Sequence, residues 1–239
     1  MQANHKTYDF EKSRERIDEI LDSSDNNYID SKTIPSRDSL TFTNGYYVYG
    51  TAIFIDMRGS KDYAKNHRRP VLAKVYRSYI SELVAVLNSL DKVRELYIEG
   101  DCVWAVYNTP TKTDIDNVFS IASKANSLID TINVKLRKKK YTEIKAGIAL
   151  HYGETLMIKA GYKGSNINEV TWIGNLVSDT AYLCSKANRY NSKKILYSNV
   201  FYSNLKTENQ KMLKKNNTLD CYEGNIVNTT MNNWVTQNG

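Results

Sequence analysis

Two aspartates, 45 positions apart, each border a short apolar run: Gly50-Thr-Ala-Ile-Phe-Ile-Asp56 and Leu96-Tyr-Ile-Glu-Gly-Asp101-Cys-Val-Trp-Ala-Val-Tyr107. If the strands carrying them are neighbours, the two carboxylates converge. Bare carboxylates at close range repel, and one is forced to keep its proton. A divalent Mg²⁺ or Mn²⁺ removes that conflict, because both are hard cations that take oxygen ligands and phosphate oxygens. Met57-Arg58-Gly59-Ser60 follows the first aspartate directly. Gly59 permits a tight turn, backbone N–H groups at a helix start can face phosphate, and Arg58 and Lys61 can add charge-assisted contacts. The competing reading is a pair of unrelated turn aspartates; the glycine loop beside Asp56 favours the metal site.

Hydrophobic periodicity supplies the elements that must position these residues. Residues 46–57 read as a strand whose segment Ala52–Ile55 is apolar on both faces, as in a central strand covered on both sides. Helical spacing of apolar residues marks 69–90 and 114–138, and turn chemistry at Glu99-Gly100-Asp101 marks a hairpin of 93–99 with 102–107. A second strand pair is expected at 143–151 and 154–160, a loop at 161–168 and a helix at about 175–190. The tail is expected to hold strands near 194–197 and 219–226, a helix near 207–215 and a final polar strand. Residues 8–23 suggest a helix with Ile17, Ile20 and Leu21 on one face, and 23–37 a polar linker. The expected division is thus 1–40 as N-terminal helix and linker, and 41–239 as the main domain. The order β-α-β-β-α-β followed by further elements predicts an α+β fold, a ferredoxin-like core with a C-terminal extension. In that core strands one and three are adjacent, which brings Asp56 towards Asp101.

Composition narrows the function classes. The 239 residues include three cysteines and three histidines, without metal-ligand spacing, which suits a reducing cytoplasm and excludes a histidine-rich centre. No apolar stretch is long enough to span a bilayer, so no membrane association is expected. The net charge of +7 invites a nucleic-acid reading, but its densest run, Lys135–Lys140, falls where a helix ends and cations complement the helix dipole. No nucleic-acid partner is expected: RNA-binding sheets of this fold present aromatics in a basic motif, whereas strand one ends in an acidic residue.

Four segments in order, Phe54-Ile-Asp56-Met-Arg-Gly59, Glu99-Gly-Asp101-Cys-Val-Trp-Ala-Val-Tyr107, Ala146-Gly-Ile-Ala-Leu-His151-Tyr-Gly-Glu154 and Trp172-Ile-Gly174-Asn-Leu-Val177, resemble the class III nucleotidyl cyclases across roughly residues 48–190. The resemblance implies a homodimer with active sites at the subunit interface. It also implies two divalent ions, Mn²⁺ or Mg²⁺, held by Asp56, Asp101 and the Met57 carbonyl, with the Arg58, Gly59 and Ser60 loop on the phosphates. The implied reaction joins the 3′-hydroxyl of a nucleoside triphosphate to its α-phosphorus and releases pyrophosphate.

Departures from the family pattern bear on the base. The position that carries Lys in adenylyl cyclases and Glu in guanylyl cyclases, four residues before the second aspartate, is Tyr97, and the second base-reading position is Thr171. Neither purine code is present, and a bulky tyrosine shortens the pocket towards a single-ring base; packing within the sheet is its other reading. The family's transition-state Asn falls on Ser178 and its Arg on Tyr182, with Asp179, Lys186 or Arg189 as candidate substitutes. The Asp-x-Arg-Gly-Ser loop and the non-purine base positions resemble the pyrimidine cyclases of Pycsar antiphage systems. That implies UTP converted to cyclic UMP, read by a separately encoded effector. The alternatives are CTP and cyclic CMP, an adenylate cyclase, or a catalytically inactive ferredoxin-like module that binds nucleotide or RNA. A diguanylate cyclase is excluded by the hairpin sequence. His151 and Glu154 read as structural turn residues, Trp104 and Trp172 as core or interface aromatics, and Cys102 as an apolar filler.

Overall fold

The computed structural model describes residues 2–239. Helix α1 (Phe10–Leu21) starts on Asp9, whose side chain accepts from the Lys12 N–H. Strand β1 (Tyr28–Ser31) follows, then the 14-residue β2 (Gly45–Arg58), the short α2 (Ser60–Asn66) and α3 (Arg69–Leu87). The hairpin of β3 (Val93–Glu99) and β4 (Cys102–Tyr107) leads to α4 (Lys112–Lys138). Strands β5 (Lys145–Tyr162) and β6 (Ile167–Ile173), helix α5 (Asn175–Lys186) and strand β7 (Ile195–Tyr197) come next. The remainder is α6 (Asn199–Asn204), α7 (Thr207–Gln210), β8 (Lys214–Asn216), β9 (Cys221–Gly224) and α8 (Thr229–Asn238).

One sheet runs in the order β3-β4-β2-β5-β7-β9-β8, with β1 on β2 and β6 on β5. Its β2-α3-β3-β4-α4-β5 portion is the expected βαββαβ core, with the first and third strands antiparallel neighbours. The segment apolar on both faces behaves as its composition demands. Ile53 and Ile55 enter the core beneath α3 and α4, while Ala52 and Phe54 enter a second core with Trp104, Trp172 and Leu183. Covering both faces leaves no water for the backbone, so β2 must be paired on both sides, and β4 and β5 do this.

Capping explains where α4 lies. Thr111 and Asp114 form a reciprocal capping box at its start, which satisfies two orphan N–H groups. At its end Lys135 stacks 4.8 Å from the Trp234 ring and Arg137 bonds Glu143 at 2.8 Å, so the basic run does close a helix.

Several elements differ from expectation. The pair 143–151 and 154–160 is one continuous strand, because β2 runs beside β5 for 14 consecutive partners and keeps Gly153 extended. Most of the expected loop 161–168 belongs to the β5–β6 hairpin. The final segment is a helix, not a strand: Asn228 caps it by accepting from the Met231 N–H, and α8 packs on α4. The helix near 207–215 is a single turn before β8, and α6 was not foreseen. The stretch 23–37 contributes β1, parallel to β2, and Ile34 is buried. On α1, Ile17, Ile20 and Leu21 are exposed.

Candidate active site

The site forms where β2 and the β3–β4 hairpin end together. In the β2–β4 ladder the last partners are Asp56 and Cys102, so Asp101, one residue earlier in the turn, stands beside Asp56. Gly100 makes that turn possible with φ of +65°, a conformation that costs other residues energy. Burial raises the Asp56 pKa, the Arg58 guanidinium opposes this, and the negative charge of Asp101 raises it further. The expected like-charge conflict is therefore present, and it is the condition a bound cation relieves.

Beyond Asp56 the chain turns through Gly59, φ +70°, into α2. The Gly59 carbonyl accepts from the Asp62 and Tyr63 N–H groups. The Met57 side chain is buried in the core, so the main chain is what this residue can offer to the site. Tyr76 on α3 closes the other flank: burial and the Asp101 charge raise the pKa of its phenol, and the nearby Ser60 opposes them. Arg58 is placed differently from a residue reaching for solvent phosphate. Its side chain is 6% exposed, and its guanidinium bonds the Asp56 carboxylate, the Ala187 carbonyl at 2.8 Å and the Cys184 carbonyl.

Tyr97, expected to read the base, stands in a second group, of aromatics. Tyr97 stacks on Trp104 with centroids 3.9 Å apart, and Trp104 stacks in turn on Phe54. The Tyr97 hydroxyl donates to the Val170 carbonyl at 2.8 Å and accepts from Trp172 Nε1 at 2.9 Å. Thr171, between Val170 and Trp172 on β6, alternates with them and presents its side chain to the opposite face of the strand, so the structure does not join it to Tyr97. Burial dominates the upward shift of the Tyr97 phenol, so this residue is neutral and its hydroxyl is already engaged.

The third group lies at the start of α5. The Ser178 hydroxyl donates to the Gly174 carbonyl at 3.2 Å and the residue is exposed. Asp179 comes within 3.9 Å of His151 Nε2. His151 sits within β5, not at a turn, and its Nδ1 is buried without a hydrogen-bond partner among the described residues. Trp104 and Trp172 are core residues, and Cys102 is half-buried. Sequence reasoning missed the carbonyls of Cys184 and Ala187, because side-chain type says nothing about which backbone oxygens a distant helix presents.

No family model matches the chain. Over 258 aligned residues it is 38% identical to a uridylate cyclase from Gulbenkiania mobilis, covering 100% of both. A uridylate cyclase from Treponema porcinum is 34% identical over 232 residues, 95% of this chain and 81% of the relative. The chain belongs to the uridylate cyclase family. Among solved structures, a class III adenylyl cyclase-like ATP-binding protein from Pseudomonas aeruginosa superposes with a TM-score of 0.70 at 18% identity, covering 95% of this chain and 48% of that one. That likeness establishes the class III cyclase fold for this uridylate cyclase family member. Among the described residues no cluster of three His, Cys, Asp or Glu side chains could hold a metal. A metal here would have to rely on the two aspartates, main-chain oxygen and phosphate, a donor set of hard oxygens whose chemistry suits Mg²⁺ or Mn²⁺. No helix is long and apolar enough to cross a membrane among the described residues.

Proposed function

We propose that this protein converts UTP to 3′,5′-cyclic UMP and pyrophosphate with two Mg²⁺ or Mn²⁺ ions per site. The observation that carries the reading is the side-by-side placement of Asp56 and Asp101 where adjacent strands end, in a chain that aligns throughout with a uridylate cyclase. When bound, divalent ions would favour the 3′-alkoxide and neutralise the triphosphate. The chain's own residues supply position. Asp56 and Asp101, with the Met57 carbonyl, hold the cations. The Gly59–Ser60 turn receives phosphate oxygens, and Ser178 and Asp179 flank the reacting ribose from the partner protomer. Tyr97 and Thr171 bound the base pocket. The engaged, neutral Tyr97 supports a pyrimidine: it offers no charge to a purine edge, and its ring occupies depth that a second ring needs.

The homodimer is part of this reading. The candidate residues lie on different elements, the β2–β4 end, β3 with β6, and the start of α5, and a shared interface would bring the base-reading residues of one copy to the aspartates of the other. The product would serve as a second messenger for a separately encoded effector in antiphage defence, and the protein would work in the cytoplasm.

Incubating the purified protein with each of the four nucleoside triphosphates and either metal, then identifying products by chromatography, tests the assignment. Cyclic UMP is expected. Cyclic AMP as main product would refute the pyrimidine reading, cyclic CMP would move it to CTP, and no product at all would leave an inactive nucleotide-binding module.

A further inference from the structure

Arg58 follows the first metal aspartate by two positions, so both side chains leave the same face of β2. A loop arginine awaiting phosphate would extend into solvent. This one is buried, and its fork is filled by protein: the Asp56 carboxylate on one side, and the Cys184 and Ala187 carbonyls at the end of α5 on the other. Cations suit that end of a helix, where unpaired carbonyls concentrate partial negative charge.

A slot in the neighbouring strand makes the arrangement possible. Gly147 on β5 is the ladder partner of Asp56, and a Cβ placed there would land on the Arg58 guanidinium and 2.5 Å from the Ala187 oxygen. Only glycine leaves room for the guanidinium to cross β5. The end of α5 is fastened to the same two strands by Cys184 Sγ, 3.6 Å from the Phe54 carbonyl and 3.5 Å from that of Gly147. Asn188 also donates to the Ala146 carbonyl at 2.9 Å.

We propose that Arg58 is a positioning residue rather than a phosphate ligand: a buried strut, seated in the Gly147 slot, that fixes the Asp56 carboxylate and locks it to the C-terminal end of α5. The strut holds one oxygen of Asp56 and leaves the other for a cation. It also places a fixed positive charge beside the metal site, which weakens cation binding while improving geometry. The inference rests on the metal role of Asp56 proposed above, and its two effects have opposite signs, which a merely structural residue does not produce.

The test combines Arg58→Met, Arg58→Lys and Gly147→Ala. Mn²⁺ affinity is measured without nucleotide by electron paramagnetic resonance, and kcat and KM are measured with UTP. Arg58→Met is expected to tighten Mn²⁺ binding about fivefold or more, because a buried opposing charge is gone. Its kcat is expected to fall about tenfold or more through misplacement of Asp56, with KM within about threefold of wild type. Arg58→Lys restores the charge but not the fork, so its Mn²⁺ affinity returns to the wild-type value while kcat stays low. Gly147→Ala, which keeps Arg58 but closes its slot, lowers kcat as Arg58→Met does, and the double variant is no worse than Arg58→Met alone.

Weaker or unchanged Mn²⁺ binding in folded Arg58→Met overturns the strut. So does a KM raised about tenfold at constant kcat, the signature of a lost phosphate contact. Should Gly147→Ala fail to fold, the Met and Lys pair still decides the matter. If wild type binds Mn²⁺ yet cyclises no nucleotide, the cyclase assignment fails and the affinity shifts alone judge Arg58.

Discussion

Asp56 and Asp101 illustrate how little sequence separation says about chemistry: 45 positions apart in the chain, they are neighbours because the β2–β4 ladder ends between them. Asp101→Asn removes one proposed cation ligand and one of two repelling carboxylates. It should lower the rate of nucleotide cyclisation at least about a hundredfold, as loss of several kcal/mol of cation-mediated stabilisation requires. The metal-free variant should melt no lower than wild type; unchanged turnover would refute the metal assignment. His151 carries a separate prediction. Burial lowers its pKa and Asp179 opposes this, so the folded state prefers the neutral ring. The associated stability is fully present above the unfolded value near 6.5 and is lost as pH falls below it. Denaturant unfolding at pH 7.5 and 5.5 should show a smaller acid-side loss in His151→Phe than in wild type. Identical slopes would remove His151 as the source.

Elements were legible where periodicity was long and illegible where partners decided the outcome. The helix expected at 114–138 emerged as Lys112–Lys138, since its apolar stripe and its caps are local information. The 18-residue β5 was split in two because Gly153 and Glu154 carry turn chemistry; only the adjacent β2 keeps them extended. The final segment looked like a strand because its polar residues fit one, whereas a docking face on α4 selects a helix. One buried side chain ties these elements together. Asn133 on α4 accepts from the Ile144 N–H at 2.8 Å and donates to the Ile144 carbonyl at 2.9 Å, fixing the approach to β5. Asn133→Ala leaves both backbone groups buried and unpaired, and should cost about 2–4 kcal/mol in equilibrium unfolding. A loss under about 1 kcal/mol would show that water replaces the amide.

At the scale of the whole molecule, the proposed site residues lie on different elements: the β2–β4 end, β3 and β6, and the start of α5. If two copies share each site, defects in different groups should complement one another. Asp101→Asn damages the metal side, and Thr171→Trp fills the base side. Each should be inactive alone, yet an equal mixture after subunit exchange should regain about a quarter of wild-type activity, since half the dimers are mixed and each carries one intact site. Activity that stays at the sum of the separate variants would refute shared sites. Light scattering on the same samples reports whether the copies associate.

The sequence by itself determined the βαββαβ core, the convergence of the two aspartates and the lack of a purine code at Tyr97 and Thr171. The first two follow from side-chain type and from spacing along strands and helices, and the third from the resemblance to the class III cyclases. Tertiary structure decided what each neighbour does with its donors. Tyr97 spends its hydroxyl on Val170 and Trp172, and Arg58 turns from the loop into the Gly147 slot. The physical reason is that a hydrogen-bond donor in a buried site must find a partner, and those partners are backbone oxygens that only the assembled fold brings within reach.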